Sequence, residues 1–247
     1  MYSLEPMATT APNHWDKKET KEKTEQLLEE LAELQNMLYA SSTHAVLVIL
    51  QGMDASGKDG AIKKVFGVVN PMGLNIHSFK VPTAEELAHD FLWRIHKAVP
   101  AKGVIGIFNR SHYEDVLVTR VKGWCSDAQA AQRFEAINAF EKTLQQHNNT
   151  VIFKFYLHVS EAEQAKRLQE RVDNPTKHWK YNANDLKEAK YWMKYRSMYE
   201  DVFTNCNAVP WTIVPADQNW YKEYLIAKTV TDGLRELGLK YPQLKEA

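Results

Sequence analysis

Short apolar runs alternate with amphipathic segments along most of this chain. Five runs rich in β-branched, leucine and aromatic residues predict strands, at 44–51, 75–81, 103–108, 150–159 and 211–215. Helical spacing of apolar positions predicts helices between most of them, at 20–39, 60–66, 83–98, 127–147, 161–172 and 218–237. Continuous apolar runs of this length fit strands buried on both faces of a parallel sheet. The alternation therefore predicts an α/β fold with a mainly parallel central sheet flanked by helices.

Length and composition fit a single globular domain. The chain has 247 residues, of which 44% are hydrophobic and 25% charged, which argues against broad disorder. Residues 1–20 contain two prolines and are expected to form a flexible N-terminal segment, which leaves 21–247 as the domain. No apolar run approaches the ~18 residues that cross a bilayer, and no signal pattern is present. Cys125 and Cys206 lie far apart, which favours a reducing cytoplasm over a disulfide framework.

The distribution of charge indicates which kind of molecule the protein could bind. Lysine and arginine together number 31, as do aspartate and glutamate, so the balance argues against a nucleic-acid-binding protein. Residues 167–196 nevertheless hold eight basic against four acidic side chains, a local charge of +4. Such a stretch is either a solvated helix face or a surface for a polyanion.

A glycine-rich loop lies between the first predicted strand and the following helix, with the sequence Gly52-Met-Asp-Ala-Ser-Gly-Lys-Asp59. Glycines let backbone N–H groups approach phosphate oxygens, and the helix start adds its positive dipole end. We expect Lys58 to neutralise phosphate charge. The phosphate-contacting set is then Ala55, Ser56, Gly57, Asp59 and Gly60. A plain strand-to-helix turn is the alternative.

The loop departs from the usual P-loop at Asp59, where Ser or Thr normally holds Mg²⁺. Asp54, inside the loop, is the best candidate to bind the metal instead, because carboxylate oxygens suit Mg²⁺. Mn²⁺ is an alternative ion for the same site.

Two further segments carry candidate chemistry. Asn109 and Arg110 follow the third predicted strand, so they should reach the same sheet edge as the loop, together with Glu114 and Asp115. Arg110 can make forked bonds to phosphate, although a self-paired polar loop is equally compatible. Four residues apart on one helix face, Arg167 and Arg171 suit a chain of phosphates. Nearby aromatic residues either stack on a nucleobase or pack a helical module; they are Trp179, Trp192 and Tyr195.

Taken together, these segments resemble the second family of polyphosphate kinases. The matching stretches are Gly52–Gly60, Ser78–Thr83, Ile107–Glu114, Asn174–Tyr195 and Ala208–Asp217. The resemblance covers about residues 25–237 and implies a thymidylate-kinase-like P-loop fold with a helical lid over about 167–200. It also implies Mg²⁺-dependent, reversible phosphoryl transfer between inorganic polyphosphate and nucleotides, and assembly as a homodimer or homotetramer.

The resemblance assigns roles to individual residues. Asp54 is the loop acid, Lys58 the phosphate lysine and Arg110 part of the Walker-B segment, where Asn109 replaces the usual carboxylate. Arg167 and Arg171 are lid arginines. The lid's own motif supplies Lys177, Trp179 and Lys180, and weaker channel cations are Lys64, Lys80 and Arg120.

One position bears on the acceptor. Members confined to diphosphates carry a glutamate where this chain has Thr119, and this segment is similar to the third class, which accepts mono- and diphosphates. AMP and ADP are thus the expected acceptors and ADP and ATP the products. Two alternatives stay open: an ATP-dependent nucleoside monophosphate kinase, which Asp59 disfavours, and a non-catalytic polyanion-binding protein.

Overall fold

A five-stranded parallel sheet forms the centre of the protein. The computed structural model describes residues 2–244. Its strands are β1 (Ala45–Gln51), β2 (Leu74–Ser78), β3 (Ile105–Asn109), β4 (Thr150–His158) and β5 (Trp211–Pro215). They lie in the order β2-β3-β1-β4-β5, and each neighbouring pair is parallel. The central strand β1 is buried at all seven positions, as its uninterrupted apolar sequence predicts. The predicted parallel α/β fold is confirmed, with strand ends shifted by up to three residues.

Helices flank the sheet in the predicted alternation. They are α1 (Lys17–Ser41), α2 (Lys58–Phe66), α3 (Ala84–Leu87), α4 (Trp93–His96), α5 (Val118–Val121), α6 (Asp127–Asn148), α7 (Glu161–Asp173), α8 (Ala183–Glu188), α9 (Trp192–Asn205) and α10 (Asn219–Glu236). Short 3₁₀ turns cover Pro71–Gly73, His112–Val116, Pro175–Lys180 and Ala189–Tyr191. The predicted lid region thus comprises the end of α7, α8, the start of α9 and the two 3₁₀ turns between them.

Local side chains explain where the long helices begin. Asp16 accepts from the N–H groups of Lys18 and Glu19 at the start of α1. Ser126 and Gln129 form a capping box at the start of α6. These bonds satisfy N–H groups that have no partner within the helix. The leucine stripe of α1 packs against α10, where Leu31 and Leu234 are fully buried.

The single helix predicted over 83–98 is wrong. Two one-turn helices, α3 and α4, stand there instead, separated by residues around Asp90. The Asp90 carboxylate accepts from the Leu92 N–H at 2.9 Å, and its carbonyl accepts from the Trp93 N–H at 3.1 Å. A short polar side chain that bonds the backbone locally competes with helix continuation, and the apolar spacing gave no sign of it.

The N-terminal segment lies against the domain. Leu4 is buried, and its N–H donates to Glu200 Oε1 at 2.8 Å. The carbonyl of Thr9 accepts from the Asp217 N–H at 3.0 Å, and Trp15 packs on the ring of Tyr224. The predicted flexibility of residues 1–20 stays a prediction beside these contacts. Over residues 2–244, no helix combines the length and apolar character needed to cross a bilayer.

Candidate active site

The glycine-rich loop joins β1 to α2 at the carboxyl edge of the sheet. Gly52 and Gly57 have φ of 150° and 94°, a region that favours glycine. A Cβ on Gly52 would lie 2.9 Å from the Leu157 carbonyl oxygen, so the loop passes too close to β4 for a side chain. Gly57 caps α2 without any side-chain bond to the first turn. The N–H groups of that turn are therefore available to an anion.

Lys58 folds back over this loop. Its Nζ donates to the carbonyl oxygens of Gly52 (2.7 Å) and Met53 (3.1 Å) and approaches Ser56 Oγ at 3.4 Å. Burial, followed by the charge of Arg110, lowers the pKa of Lys58 to about 8. The predicted phosphate lysine thus lies in the loop, with carbonyl groups as its present partners.

Arg110 connects the loop to the segment after β3. Its guanidinium pairs with Asp54 Oδ1, and its Nη1 lies 3.7 Å from Glu114 Oε2. The negative charge of Glu114, opposed by burial and joined by Asp54, raises the pKa of Arg110. The predicted loop acid and Walker-B arginine are therefore direct neighbours, although they are far apart in sequence.

Asn109 and Asp59 meet beside the start of α2. Asn109 Nδ2 donates to Asp59 Oδ1 at 2.9 Å, and Lys180 of the lid lies 3.4 Å from Asp59 Oδ2. Burial favours a raised pKa for Asp59, but the bond from Asn109 and the charge of Lys180 outweigh it and lower that pKa. Asp59, which departs from the usual P-loop sequence, is thus ionised and connects the loop to the lid.

Two basic side chains brace the loop through its carbonyl groups. Arg167 Nη1 donates to Ala55 O at 3.1 Å, and Nη2 donates to the carbonyl oxygens of Ala216 (2.8 Å) and Asp217 (2.9 Å). Lys222 Nζ lies 3.3 Å from Gly57 O. Burial, with the charge of Arg167, lowers the pKa of Lys222 to about 8.

Sequence reasoning missed Lys222. The only signal was its place on the stripe of α10 that buries Ile226 and Val230, where a lysine is unusual. Arg167 was expected to act from the lid. In the structure its guanidinium lies against the loop backbone.

Two other basic side chains of the lid pair with nearby carboxylates. Arg171 Nη1 contacts Asp185 Oδ2 at 2.6 Å, and Lys177 Nζ contacts Glu170 Oε2 at 2.6 Å. Trp179 is 78% exposed, with Lys180 Nζ 4.9 Å from its ring centroid. An indole this open to solvent is available to a ligand rather than committed to packing.

A cleft open to solvent separates the loop from the lid. Its floor is formed by Gly52, Met53, Asp54, Arg110, Glu114 and Gln164. Its lid side is formed by Glu188, Ala189, Trp192, Tyr195 and Tyr199. Tyr195 Oη donates to Glu188 Oε2 at 2.8 Å, and burial together with that bond raises the pKa of Tyr195. Gln164 and Tyr199 were missed from sequence, because neither falls in a recognisable motif.

Several predicted site residues lie outside this cleft. Lys64 pairs with Glu25 on the outer surface (2.6 Å), and Lys80 is exposed. Arg120 pairs with Asp127 (2.7 Å) and with Asp201 (2.9 Å).

Asp115 and Thr119 also face away from the cleft. Asp115 lines a second cavity with Arg94, 3.7 Å away, and burial raises its pKa to about 6. Thr119 Oγ1 donates to the Asp115 carbonyl at 2.6 Å. Asp115 therefore belongs to a neighbouring pocket, and the Thr119 hydroxyl bonds its backbone.

The residues present fit a Mg²⁺ ion that would take most of its ligands from substrate phosphates. Asp54 is partly exposed in the cleft, and Arg110 takes only its Oδ1. Among residues 2–244, no three His, Cys, Asp or Glu side chains are grouped to hold an ion by themselves. Mg²⁺ is commonly held by one or two carboxylates plus substrate phosphates, so a single open carboxylate oxygen suits it.

Comparison with known proteins gives a consistent result. The family model "Polyphosphate kinase 2 (PPK2)" matches residues 14–240. The chain is 47% identical over 219 residues to an AMP/ADP-polyphosphate phosphotransferase of Meiothermus ruber, which covers 88% of this chain and 82% of that protein. It is 41% identical over 247 aligned positions to an ADP-polyphosphate phosphotransferase of Rhodopseudomonas palustris, covering 93% and 85%. The crystal structure of polyphosphate kinase 2 from Arthrobacter aurescens TC1 superposes with a TM-score of 0.95 at 40% identity, over 100% of this chain and 89% of that one.

Proposed function

Because this chain belongs to the polyphosphate kinase 2 family, we propose that it transfers phosphoryl groups between inorganic polyphosphate and nucleotides. The acceptors are AMP and ADP, the products ADP and ATP, and the reaction is reversible. The observation that carries this proposal is the uncapped start of α2, with Lys58 folded over the loop, next to the cleft that Asp54 and Arg110 line. That arrangement offers donors and positive charge to phosphate and needs no nucleophilic side chain.

The bond changes are simple. An anionic oxygen of the AMP or ADP phosphate attacks the terminal phosphorus of polyphosphate and forms a new P–O bond. The terminal bridging P–O bond breaks, and the chain shortened by one phosphate leaves as an anion. No strong general base is required, because the attacking oxygen is already ionised at neutral pH.

The protein's part is to position the reactants and to balance charge. The α2 N–H groups and Lys58 hold phosphate oxygens, and Lys58 exchanges its carbonyl acceptors for these stronger ones. Arg110 offers a fork to the transferred group while Asp54 and Glu114 orient it. Tyr195 and Trp192 cover the cleft from the lid and exclude water that would otherwise take the phosphoryl group.

A divalent cation would complete the site. Mg²⁺, or Mn²⁺ in its place, would be held by the open carboxylate oxygen of Asp54 and would neutralise phosphate charge when bound. Removal with EDTA should abolish turnover, and added Mg²⁺ should restore it.

Thr119 lies away from the cleft, and its hydroxyl bonds the Asp115 carbonyl, so the acceptor range is proposed from similarity rather than from this residue. The relative from Meiothermus ruber is named for both AMP and ADP. We extend that range to this chain.

The decisive assay supplies AMP or ADP with polyphosphate and Mg²⁺ and no ATP. Formation of ADP from AMP, and of ATP from ADP, supports the proposal. If neither appears while ATP and a nucleoside monophosphate react, the chain is an ordinary nucleotide kinase. If polyphosphate binds without turnover, it is a polyanion-binding protein. Homodimer or homotetramer assembly and a cytoplasmic location stay predictions.

A further inference from the structure

A buried polar cluster outside the cleft takes no part in the mechanism above. Glu141 of α6 and Lys154 of β4 form an ion pair at 2.8 Å, and neither side chain is exposed to solvent. Lys154 Nζ also donates to Tyr113 Oη (2.8 Å) and to the Cys206 carbonyl (3.0 Å). Tyr113 Oη donates in turn to Glu141 Oε1 at 2.6 Å. We call these four groups the Glu141–Lys154 network.

Every N–H donor of Lys154 in this network has a partner, and burying the two charges costs free energy. An ammonium has three N–H donors, and all three of Lys154 are used. Burial lowers the pKa of Lys154, and the Glu141 carboxylate opposes that shift. Removing two charges from water is expensive, and an apolar pair of similar size is often at least as stable. Stability alone therefore gives no reason for charges at this place.

The network holds the chain three residues after Arg110. Tyr113 is fully buried, and its ring also packs on Trp211 with centroids 4.8 Å apart. The Tyr113 N–H donates to Ser111 Oγ at 3.3 Å, so the turn between them is closed locally. On the other side, the Arg110 N–H donates to the Leu50 carbonyl of β1 at 3.0 Å. Arg110 is thus held between two fixed points.

Arg110 needs such restraint. Its φ of 62° is left-handed, which costs free energy for a residue with a Cβ. A conformation of this kind persists only where the surroundings determine it. The same backbone turn directs the guanidinium to Asp54 and Glu114 in the cleft.

We infer that Tyr113, held by Glu141 and Lys154, is a positioning residue that keeps Arg110 in its left-handed conformation for phosphoryl transfer. The expected loss of kcat rests on the proposed function, whereas the expected change in the conformation of Arg110 does not. Tyr113 touches no substrate and acts through Arg110. Its hydroxyl is the link between the buried charges and the cleft.

The test removes that hydroxyl alone. With AMP, polyphosphate and Mg²⁺, Tyr113→Phe should lower kcat by about tenfold, because small displacements of a catalytic group cost about this much or more. The KM for AMP should change less than twofold. In an Arg110→Ala background, the same substitution should lower kcat by less than twofold, because the residue it positions is gone. Equal losses in both backgrounds, or no loss in the parent, would overturn the inference.

A control separates positioning from stability. Thr231→Val removes a buried hydroxyl that approaches the Leu27 carbonyl at 3.4 Å between α1 and α10, away from the cleft. It should leave kcat unchanged when assayed well below the unfolding temperature of each variant. An equal loss of kcat in Thr231→Val would show that Tyr113→Phe acts through general destabilisation, and would overturn the inference.

Crystal structures of the parent and Tyr113→Phe provide a readout without turnover. Separation of Arg110 from Asp54, or loss of the positive φ at Arg110, supports the inference, and an unchanged Arg110 overturns it. If the parent fails to use polyphosphate, the proposed function fails by itself, and the structural comparison still decides the role of Tyr113.

Discussion

The cleft and the Glu141–Lys154 network both contain paired charges, but the pairs differ in kind. In the cleft and lid, Arg110, Lys177 and Lys180 contact carboxylates while remaining partly exposed. In the network, Glu141 and Lys154 are fully buried and every donor of Lys154 is used. Exposed pairs contribute little to stability and can be exchanged for phosphate at small cost. Buried pairs cannot be exchanged in this way. The exposed pairs are therefore suited to binding a ligand, and the buried pair is suited to positioning other residues.

The largest expected effect would come from breaking the buried pair. Lys154→Met should lower the free energy of unfolding by about 3–5 kcal/mol, because it leaves the Glu141 carboxylate buried without its partner. Urea unfolding measures this change. The matched substitution Lys177→Met in the exposed lid pair should cost less than about 1 kcal/mol. Similar losses in the two variants would show that the two regions do not differ.

A second substitution sharpens that result. Glu141→Leu combined with Lys154→Met should recover most of the lost stability, because no unpaired charge remains. A double variant as unstable as Lys154→Met alone would mean that packing, rather than the unpaired charge, caused the loss.

At the loop beside the cleft, the largest effect should be on rate rather than stability. Lys58→Ala should lower kcat at least about a hundredfold, the scale of removing one transition-state contact. The steady-state rate with ADP and polyphosphate measures it. Lys228→Ala, which removes a surface lysine of α10 paired with Asp232, is the control and should keep the parental rate. Parental turnover in Lys58→Ala would refute the role given to the loop lysine.

The two buried lysines that contact loop carbonyl groups predict opposite trends for activity and stability with pH. The pKa of Lys58 and of Lys222 is lowered to about 8 from an ordinary 10.5. As pH rises through about 8, Lys58 loses its proton, so kcat/KM should fall. The unfolded chain still binds both protons up to about 10.5, so the free energy of unfolding should rise from pH 8 towards 10.5 through these groups. The Lys58→Ala variant should lose the basic limb of the kcat/KM profile, and persistence of that limb would assign it to another group.

The smallest effect is expected at the exposed contact of loop and lid. Asp59→Asn removes a negative charge that now pairs with Lys180, at 3.4 Å and largely exposed to solvent. The KM for polyphosphate should fall by no more than about fivefold, and the change should shrink as salt is added. A large loss of kcat would instead give Asp59 a direct part in the reaction.

Sequence reasoning found residues whose neighbours in the chain form a motif. Asp54, Lys58 and Arg110 were identified this way, and the structure places Arg110 against Asp54 and both close enough to Lys58 to act on its pKa. Lys222 and Tyr199 lie in ordinary helices and reach the site only through folding. Arg120 shows the opposite case, because a basic residue near the motif is bound to Asp127 and Asp201. A cation's partners depend on distance in space, which local patterns do not contain.

By itself, the sequence determined the parallel α/β fold, the place of the glycine-rich loop and the family, because buried strands, helix faces and glycine turns each leave a local pattern. Tertiary structure alone decided which charges serve the cleft, which brace the loop and which lie in the buried network. Burial and distance set those roles. A lysine on the surface is a solvated side chain, whereas a lysine in the core is a fixed structural contact. Lys58, Lys154 and Lys177 illustrate the three outcomes.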